Sequence, residues 1–283
     1  MKLKDIKSDL YQSLGLWVIN GLARGKNYSC STDIAYGSHH RQKLDHYQLK
    51  RSNNSPTVLF FYGGNWRSGR KQDYRFVADT LLDLGFNVVL PDYRLYPLVR
   101  FEEIRQDAVS AFEAACELVG DSDLYVMGHS AGAQLASLLT LDHSLSDHSH
   151  KLRGCIGLSG PYDFYPFTDD DHWDLFGPEH QYPKSQAVNY VRPDAPPLYL
   201  LHGADDARVR RGHSKSLMEK QLAAGGIASR EVYPGLGHAD LIVQFSRLHR
   251  SNAAVVRDVQ DFINQTQEKP ALAELKKEAL HGT

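Results

Sequence analysis

With 283 residues the chain can bury one large core, so a single α/β domain spanning 1–283 is expected in preference to two. The 32 Lys and Arg against 34 Asp and Glu leave a net charge of −2, which argues against nucleic acid or a strongly anionic membrane as the main partner. Three scattered cysteines argue against a disulfide-built secreted scaffold; Cys116 falls in a helical pattern and Cys155 in a strand pattern, as buried thiols do.

Residues 1–30 read as an N-terminal helical segment. Met1-Lys2-Leu3-Lys4 is basic and Leu14-Gly15-Leu16-Trp17-Val18-Ile19 apolar, but Asp5, Asp9, Gln12 and Ser13 interrupt the stretch and no small-x-small cleavage site follows. A bilayer span needs ~20 apolar residues. An amphipathic helix packed on the domain is expected, with no stable membrane insertion and a cytoplasmic location.

Extended segments at Thr32–Tyr36 and Lys43–Leu49 are expected as two antiparallel strands leading into the sheet. Thr57–Tyr62 is an apolar run typical of a buried strand. A helix over Asp73–Leu84 ends at Gly85, strand Asn87–Leu90 stops at Pro91, and a helix over Ile104–Val119 precedes strand Leu124–Met127. A helix follows at once through Ala133–Leu139, then strand Gly154–Ser159. Residues 160–197, rich in Pro, Tyr, Phe and Asp, break the alternation and read as a small inserted cap. Order resumes with strand Leu198–His202, helix His213–Ala224, strand Ser229–Tyr233 and helix Ala253–Thr266; 267–283 is a charged tail. Such alternation predicts a mostly parallel central sheet with helices on both faces.

Chemistry concentrates at Gly128-His129-Ser130-Ala131-Gly132. A serine between strand and helix must turn the chain sharply, and a Cβ two residues to either side would crowd the strand or the helix. The turn holds a hydroxyl at the C-terminal edge of the sheet, in front of a helix N-terminus that favours developing negative charge. Serine needs a base, and the base an orienting acid. His238, in Gly235-Leu236-Gly237-His238 just beyond a late strand, supplies the base. His143, His148 and His150 lie in a Ser/Asp-rich solvated loop without metal-ligand spacing, and His202, ending a strand, reads as structural. The acid is expected after the preceding strand, where spacing leaves Asp205 and Asp206 open. Amides of the glycine-containing loop Tyr62-Gly63-Gly64-Asn65-Trp66, together with the Ala131 N–H, are expected to face the developing charge; each such donor is worth ~3 kcal/mol of barrier.

With these motifs the chain resembles the α/β-hydrolase superfamily, in particular its hormone-sensitive-lipase-like and kynurenine-formamidase-like carboxylesterases. Tyr62–Trp66 is similar to the family's His-Gly-Gly-x-Trp, Pro91-Asp92-Tyr93-Arg94-Leu95-Tyr96-Pro97 to its Asp-Tyr-Arg-Leu-x-Pro segment, and Gly128–Gly132 to its elbow. The family pattern His-Gly-x-x-Asp-x-x-Val matches His202, Gly203, Asp206 and Val209. The resemblance therefore implies Asp206 as the acid, and the amides of Gly64, Asn65 and Ala131 as the oxyanion hole. Tyr62 departs from the motif's histidine and Asn65 from a third glycine of the lipase-like version; Asn65 either hydrogen-bonds substrate or braces the loop. Asp92, Tyr93 and Arg94 read as scaffold.

The order Ser130, Asp206, His238 implies acyl transfer through an acyl-enzyme, chemistry that calls for no metal or cofactor. The expected partner is a small-molecule acyl ester, and no nucleic acid. Trp66, Tyr162, Phe164, Tyr165 and Phe167 flank the expected site, with Trp66, Tyr162 and Phe164 as substrate contacts, favouring short or medium acyl groups. An arylformamidase-type amide hydrolase would use the same triad, and a non-catalytic binding module on the fold is a remote third reading.

Overall fold

The structure, a computed structural model, describes residues 19–21, 28–50, 55–251 and 253–268. Eight strands make one sheet: β1 (Tyr28–Ala35), β2 (Lys43–Leu49), β3 (Thr57–Phe61), β4 (Asn87–Pro91), β5 (Leu124–His129), β6 (Leu152–Leu158), β7 (Leu198–Gly203) and β8 (Ala228–Tyr233), in the order β1-β2-β4-β3-β5-β6-β7-β8. β2 pairs antiparallel with both neighbours, and every other pairing is parallel. This is the mostly parallel sheet that the alternating pattern implied, and the α/β-hydrolase fold that the resemblance implied. β3 and β5 are buried along their whole length, as central parallel strands covered on both faces must be. That is why their sequences are continuous apolar runs.

Seven α-helices are described: α1 (Arg75–Asp83), α2 (Phe101–Val119), α3 (Ala131–Leu141), α4 (Asp170–Leu175), α5 (Gly212–Ala223), α6 (His238–Val243) and α7 (Ala254–Glu268). α3 packs on β3, β5 and β6, which centres the elbow on the sheet. α2 starts three residues ahead of the expected Ile104, because the Glu103 side chain accepts from the Arg100 N–H at 3.1 Å and stabilises an earlier first turn. β1 likewise starts before Thr32, and a bulge between Ser31 and Ile34 bends this edge strand. Cys116 and Cys155 are buried in α2 and β6, as their patterns indicated.

Most of the expected N-terminal helix lies outside the described residues. Of it, 19–21 are helical, and Asn20 bonds the Asp73 carbonyl (2.6 Å) and the Phe76 N–H (3.0 Å). The tail beyond 268 lies outside them too. The stretch between β6 and β7 holds α4 and two 3-10 turns, Glu179–Ser185 and Ala187–Tyr190. Among the described residues no helix is long and apolar enough to cross a membrane.

Candidate active site

Ser130 closes β5 and opens α3 with φ 55° and ψ −122°, a conformation that non-glycine residues rarely adopt. The flanking glycines are required sterically. A Cβ on Gly128 would lie 2.2 Å from the Gly132 carbonyl oxygen, and one on Gly132 would lie 2.0 Å from that of Phe61. The Ser130 N–H bonds the Leu158 carbonyl at 2.9 Å, so the elbow is stitched to the end of β6. The turn is held by backbone on every side.

His238 begins α6, a helix of six residues capped by Asp240, whose Oδ2 accepts the Gly237 N–H at 2.8 Å. The loops after β7 and β8 are joined by the Asp205 N–H to the Leu236 carbonyl (3.0 Å) and by close packing of Gly203, where a Cβ would lie 2.2 Å from the Leu236 oxygen. That stitching brings Asp206 and His238 together. The Ser130 hydroxyl meets His238 Nε2 at 2.9 Å, and His238 Nδ1–H donates to Asp206 Oδ2 at 2.8 Å. Asp205 is exposed, whereas the Asp206 carboxyl is fully buried. Burial alone would raise that carboxyl. Hydrogen bonds from His202 and His238 outweigh it, helped by the Val209 N–H at 2.8 Å, and hold it well below the usual carboxylate range. The Asp206 carboxyl is thus held as an anion that fixes the His238 tautomer through Nδ1–H.

Sequence reasoning gave His202 only a structural part. In the fold its Nε2–H points between the Val209 carbonyl (2.9 Å) and Asp206 Oδ2 (3.3 Å), the same oxygen that His238 meets, so it braces that carboxylate as a second imidazole. Its signal was the His-Gly-x-x-Asp spacing itself. His129 was also passed over. It is buried beside the triad, its ring centroid 4.9 Å from that of His238, and its Nε2–H donates to the His238 carbonyl at 3.0 Å. Burial and the neighbouring His238 depress its pKa to about 3.

The Tyr62–Trp66 loop lies against the elbow: a Cβ on Gly63 would be 2.9 Å from the Ser130 Cβ. Gly64 (φ 144°) leaves no room for a side chain, since a Cβ would come within 2.1 Å of the Ser68 carbonyl. Asn65 and Trp66 follow at φ 52° and 58°. Tyr62, where the motif has histidine, gives its hydroxyl to Asp92 (2.9 Å) and accepts from Arg41 (2.8 Å), whose guanidinium also holds the Tyr93 and Gly69 carbonyls. Tyr93 returns a bond to the Tyr62 carbonyl at 2.8 Å. Asp92 and Tyr93 therefore serve as scaffold for this loop, and Arg94 anchors to Asp107 on α2. Of the two roles open to Asn65, its side chain takes a bracing one, with Oδ1 accepting from His172 Nε2 at 3.1 Å. Ala131 opens α3, where the first N–H groups lack a helical acceptor.

Two residues expected at the substrate are placed in the core. Trp66 is 2% exposed and gives its indole N–H to Gln134 on α3 at 3.0 Å; Tyr162 is fully buried. Short apolar-polar motifs cannot separate an aromatic that lines a cleft from one that plugs it. Phe164 is half-buried and stacks on Trp66. A cavity of about 560 Å³ opens elsewhere, by β1–β4 and the end of α2, lined by Ser29, His46, Thr57, Asn87, Leu118 and Ser122 among the described residues; it touches none of the triad.

The fold is similar to solved esterase structures. Esterase B from Lactobacillus rhamnosis superposes with a TM-score of 0.76 at 17% identity, covering 99% of this chain and 98% of that one. In sequence the chain is 28% identical over 244 residues to the isoprenylcysteine alpha-carbonyl methylesterase of Arabidopsis thaliana, covering 75% of this chain and 57% of the relative. It is 34% identical over 140 residues to the kynurenine formamidase of Danio rerio, covering 47% of each. The chain thus spans about half the length of the curated relatives it matches. A family model described as BD-FAE matches residues 44–221, a span that holds Ser130 and Asp206 and stops short of His238, and the chain belongs to that family of α/β-hydrolase-fold proteins.

Proposed function

We propose that the protein is a serine hydrolase that cleaves carboxylic esters of short to medium acyl chains through an acyl-enzyme. The observation that carries this reading is the unbroken chain from the Ser130 hydroxyl through His238 to Asp206, at 2.9 and 2.8 Å. In this scheme His238 Nε2 takes the Ser130 proton as Oγ attacks the acyl carbon, then passes it to the departing alcohol. Water later attacks the acyl-enzyme by the same route. The amides of Gly64, Asn65 and Ala131 are assigned to the oxyanion. The aromatic segment packed on the Tyr62–Trp66 loop supports a preference for small acyl groups. We take residues 160–197 as the cap of one hydrolase domain, and free cysteines with balanced charge as fitting a reducing compartment.

The similarity to isoprenylcysteine methylesterases and esterase structures supports an ester substrate, while the similarity to kynurenine formamidase favours a second reading, formamide hydrolysis by the same residues. Ser130→Ala is expected to lose at least ~10⁴ in turnover of p-nitrophenyl acetate. Comparable activity in that variant would end the triad assignment. A higher kcat/KM on N-formylkynurenine than on p-nitrophenyl butyrate would select the formamidase reading.

A further inference from the structure

Within the Tyr62–Trp66 loop, two consecutive non-glycine residues take left-handed backbone conformations, Asn65 at φ 52° and Trp66 at φ 58°. Each such residue costs about 1–3 kcal/mol and persists only if its surroundings over-determine it. Trp66 is over-determined by several independent contacts. Its indole N–H is captured by Gln134, its carbonyl accepts the Tyr96 N–H at 2.9 Å, and its ring is packed by Phe164 and Phe176. Asn65 is different: among the described residues its side chain is held by one hydrogen bond, to His172 in α4, 107 residues away.

His172 is itself firmly placed. Its ring lies edge-on to Trp66, Phe164, Phe167 and Phe176, with centroids 5.5 to 6.4 Å away. Either side of it on α4, Asp171 pairs with Arg67 at 2.5 Å, and Asp174 takes Arg100 at 2.9 Å and the Tyr96 hydroxyl at 2.8 Å. Arg67, Tyr96 and Arg100 all belong to the hydrolase body, so α4 is clamped to it on both sides of His172. Burial lowers the imidazole's pKa, which keeps the ring neutral with a single N–H to give. Asn65 Oδ1 at 3.1 Å is nearer to Nε2 than Asp169 Oδ2 at 3.7 Å, so the N–H goes to Asn65.

The geometry points to His172 as a positioning residue for the oxyanion hole: the β6–β7 segment, through the His172–Asn65 hydrogen bond, holds the backbone N–H of Asn65 where the acyl oxyanion forms. This rests on the proposed acyl-transfer reading and extends it. The segment is then part of the catalytic apparatus and not only a cover that selects substrates.

The test uses the full chain and p-nitrophenyl acetate. His172→Phe keeps the ring in its aromatic surroundings and removes the donor, while His172→Gln restores an N–H at the Nε2 position. His172→Phe is expected to lower kcat about 10- to 100-fold with KM within about twofold, because a misplaced donor weakens the transition state and not ground-state binding. His172→Gln should recover most of the loss. Asn65→Ala should cause a similar fall, and Asn65→Ala with His172→Phe should be no worse than Asn65→Ala alone. Unchanged kcat in His172→Phe, or additive losses in the double variant, would overturn the proposal and leave the Ser130 reading standing. A rise in KM with kcat held would make the segment a substrate cover only. Activity surviving in Ser130→Ala would bring down both readings together.

Discussion

Beside the Ser130–His238 pair lies a second imidazole whose task is to stay uncharged. His129 is buried, gives Nε2–H to the His238 carbonyl, and has no hydrogen-bond partner on Nδ1 among the described residues. A proton on Nδ1 would put an unpaired cation next to His238, which desolvation and the like charge both oppose; hence the pKa near 3. The unfolded chain binds that proton near ~6.5. Between these two values the unfolded state carries more protons than the folded one, so His129 makes stability fall as the pH drops below about 6.5. His129→Gln, which keeps an N–H for the His238 carbonyl, is expected to flatten the decline of Tm between pH 6.5 and 4.5. An unchanged slope in thermal melts across that range would rule out His129 as a source of acid sensitivity. At this scale the residue types and their order were legible in the sequence, but their partners were not. Asp205 and Asp206 are indistinguishable by spacing, and what separates them is that the Arg208 and Val209 amides reach Asp206 Oδ1 at 2.9 and 2.8 Å and turn its carboxyl inward.

Among the elements, the strand–elbow–helix unit was the most legible, because each of its requirements is local. An apolar strand, two glycines and an immediate helix can all be read within a dozen residues, and the close approaches at Gly128 and Gly132 are the steric reason for them. Gly132→Ala is expected to cost at least ~2 kcal/mol, since the added Cβ meets the β3 backbone, which cannot rotate away as a side chain would. Gly212→Ala, at the start of α5 with open space around it, should be neutral or slightly stabilising. Urea denaturation midpoints of the two variants check this, and equal midpoints would show that the elbow has slack. α6 was invisible in the sequence. Six residues do not complete two turns, so no apolar period could emerge, and the helix exists because Asp240 caps it and Leu241 and Ile242 are buried. α4 escaped for the same reason, inside a stretch whose composition reads as loop.

Across the molecule, the stretch that follows α6 is tied to α1 by charge. Asp79, buried in α1, accepts Arg247 Nε and Nη2 at 2.7 and 2.9 Å and Arg250 Nη1 at 3.1 Å, while Thr80 bonds the Phe245 carbonyl. This links residues about 170 apart and secures the segment that begins with His238. Asp79→Asn is expected to lose ~3 kcal/mol by leaving two arginines short of their buried partner, whereas Asp83→Asn, at the exposed end of the same cluster, should lose well under ~1 kcal/mol. Chemical denaturation of the two variants separates a buried anchor from a surface pair, and equal losses would contradict the assignment. The sequence by itself determined the fold class, the elbow at Ser130 and the loops that carry Asp206 and His238, because apolar periodicity, glycine sterics and loop position are short-range properties. Only the tertiary structure decided that Trp66 and Tyr162 plug the core, that His202 and His129 stand beside the triad, and that His172 reaches Asn65. Those contacts join residues distant in the chain, and their geometry is set by how the sheet is ordered and covered, which local spacing does not carry.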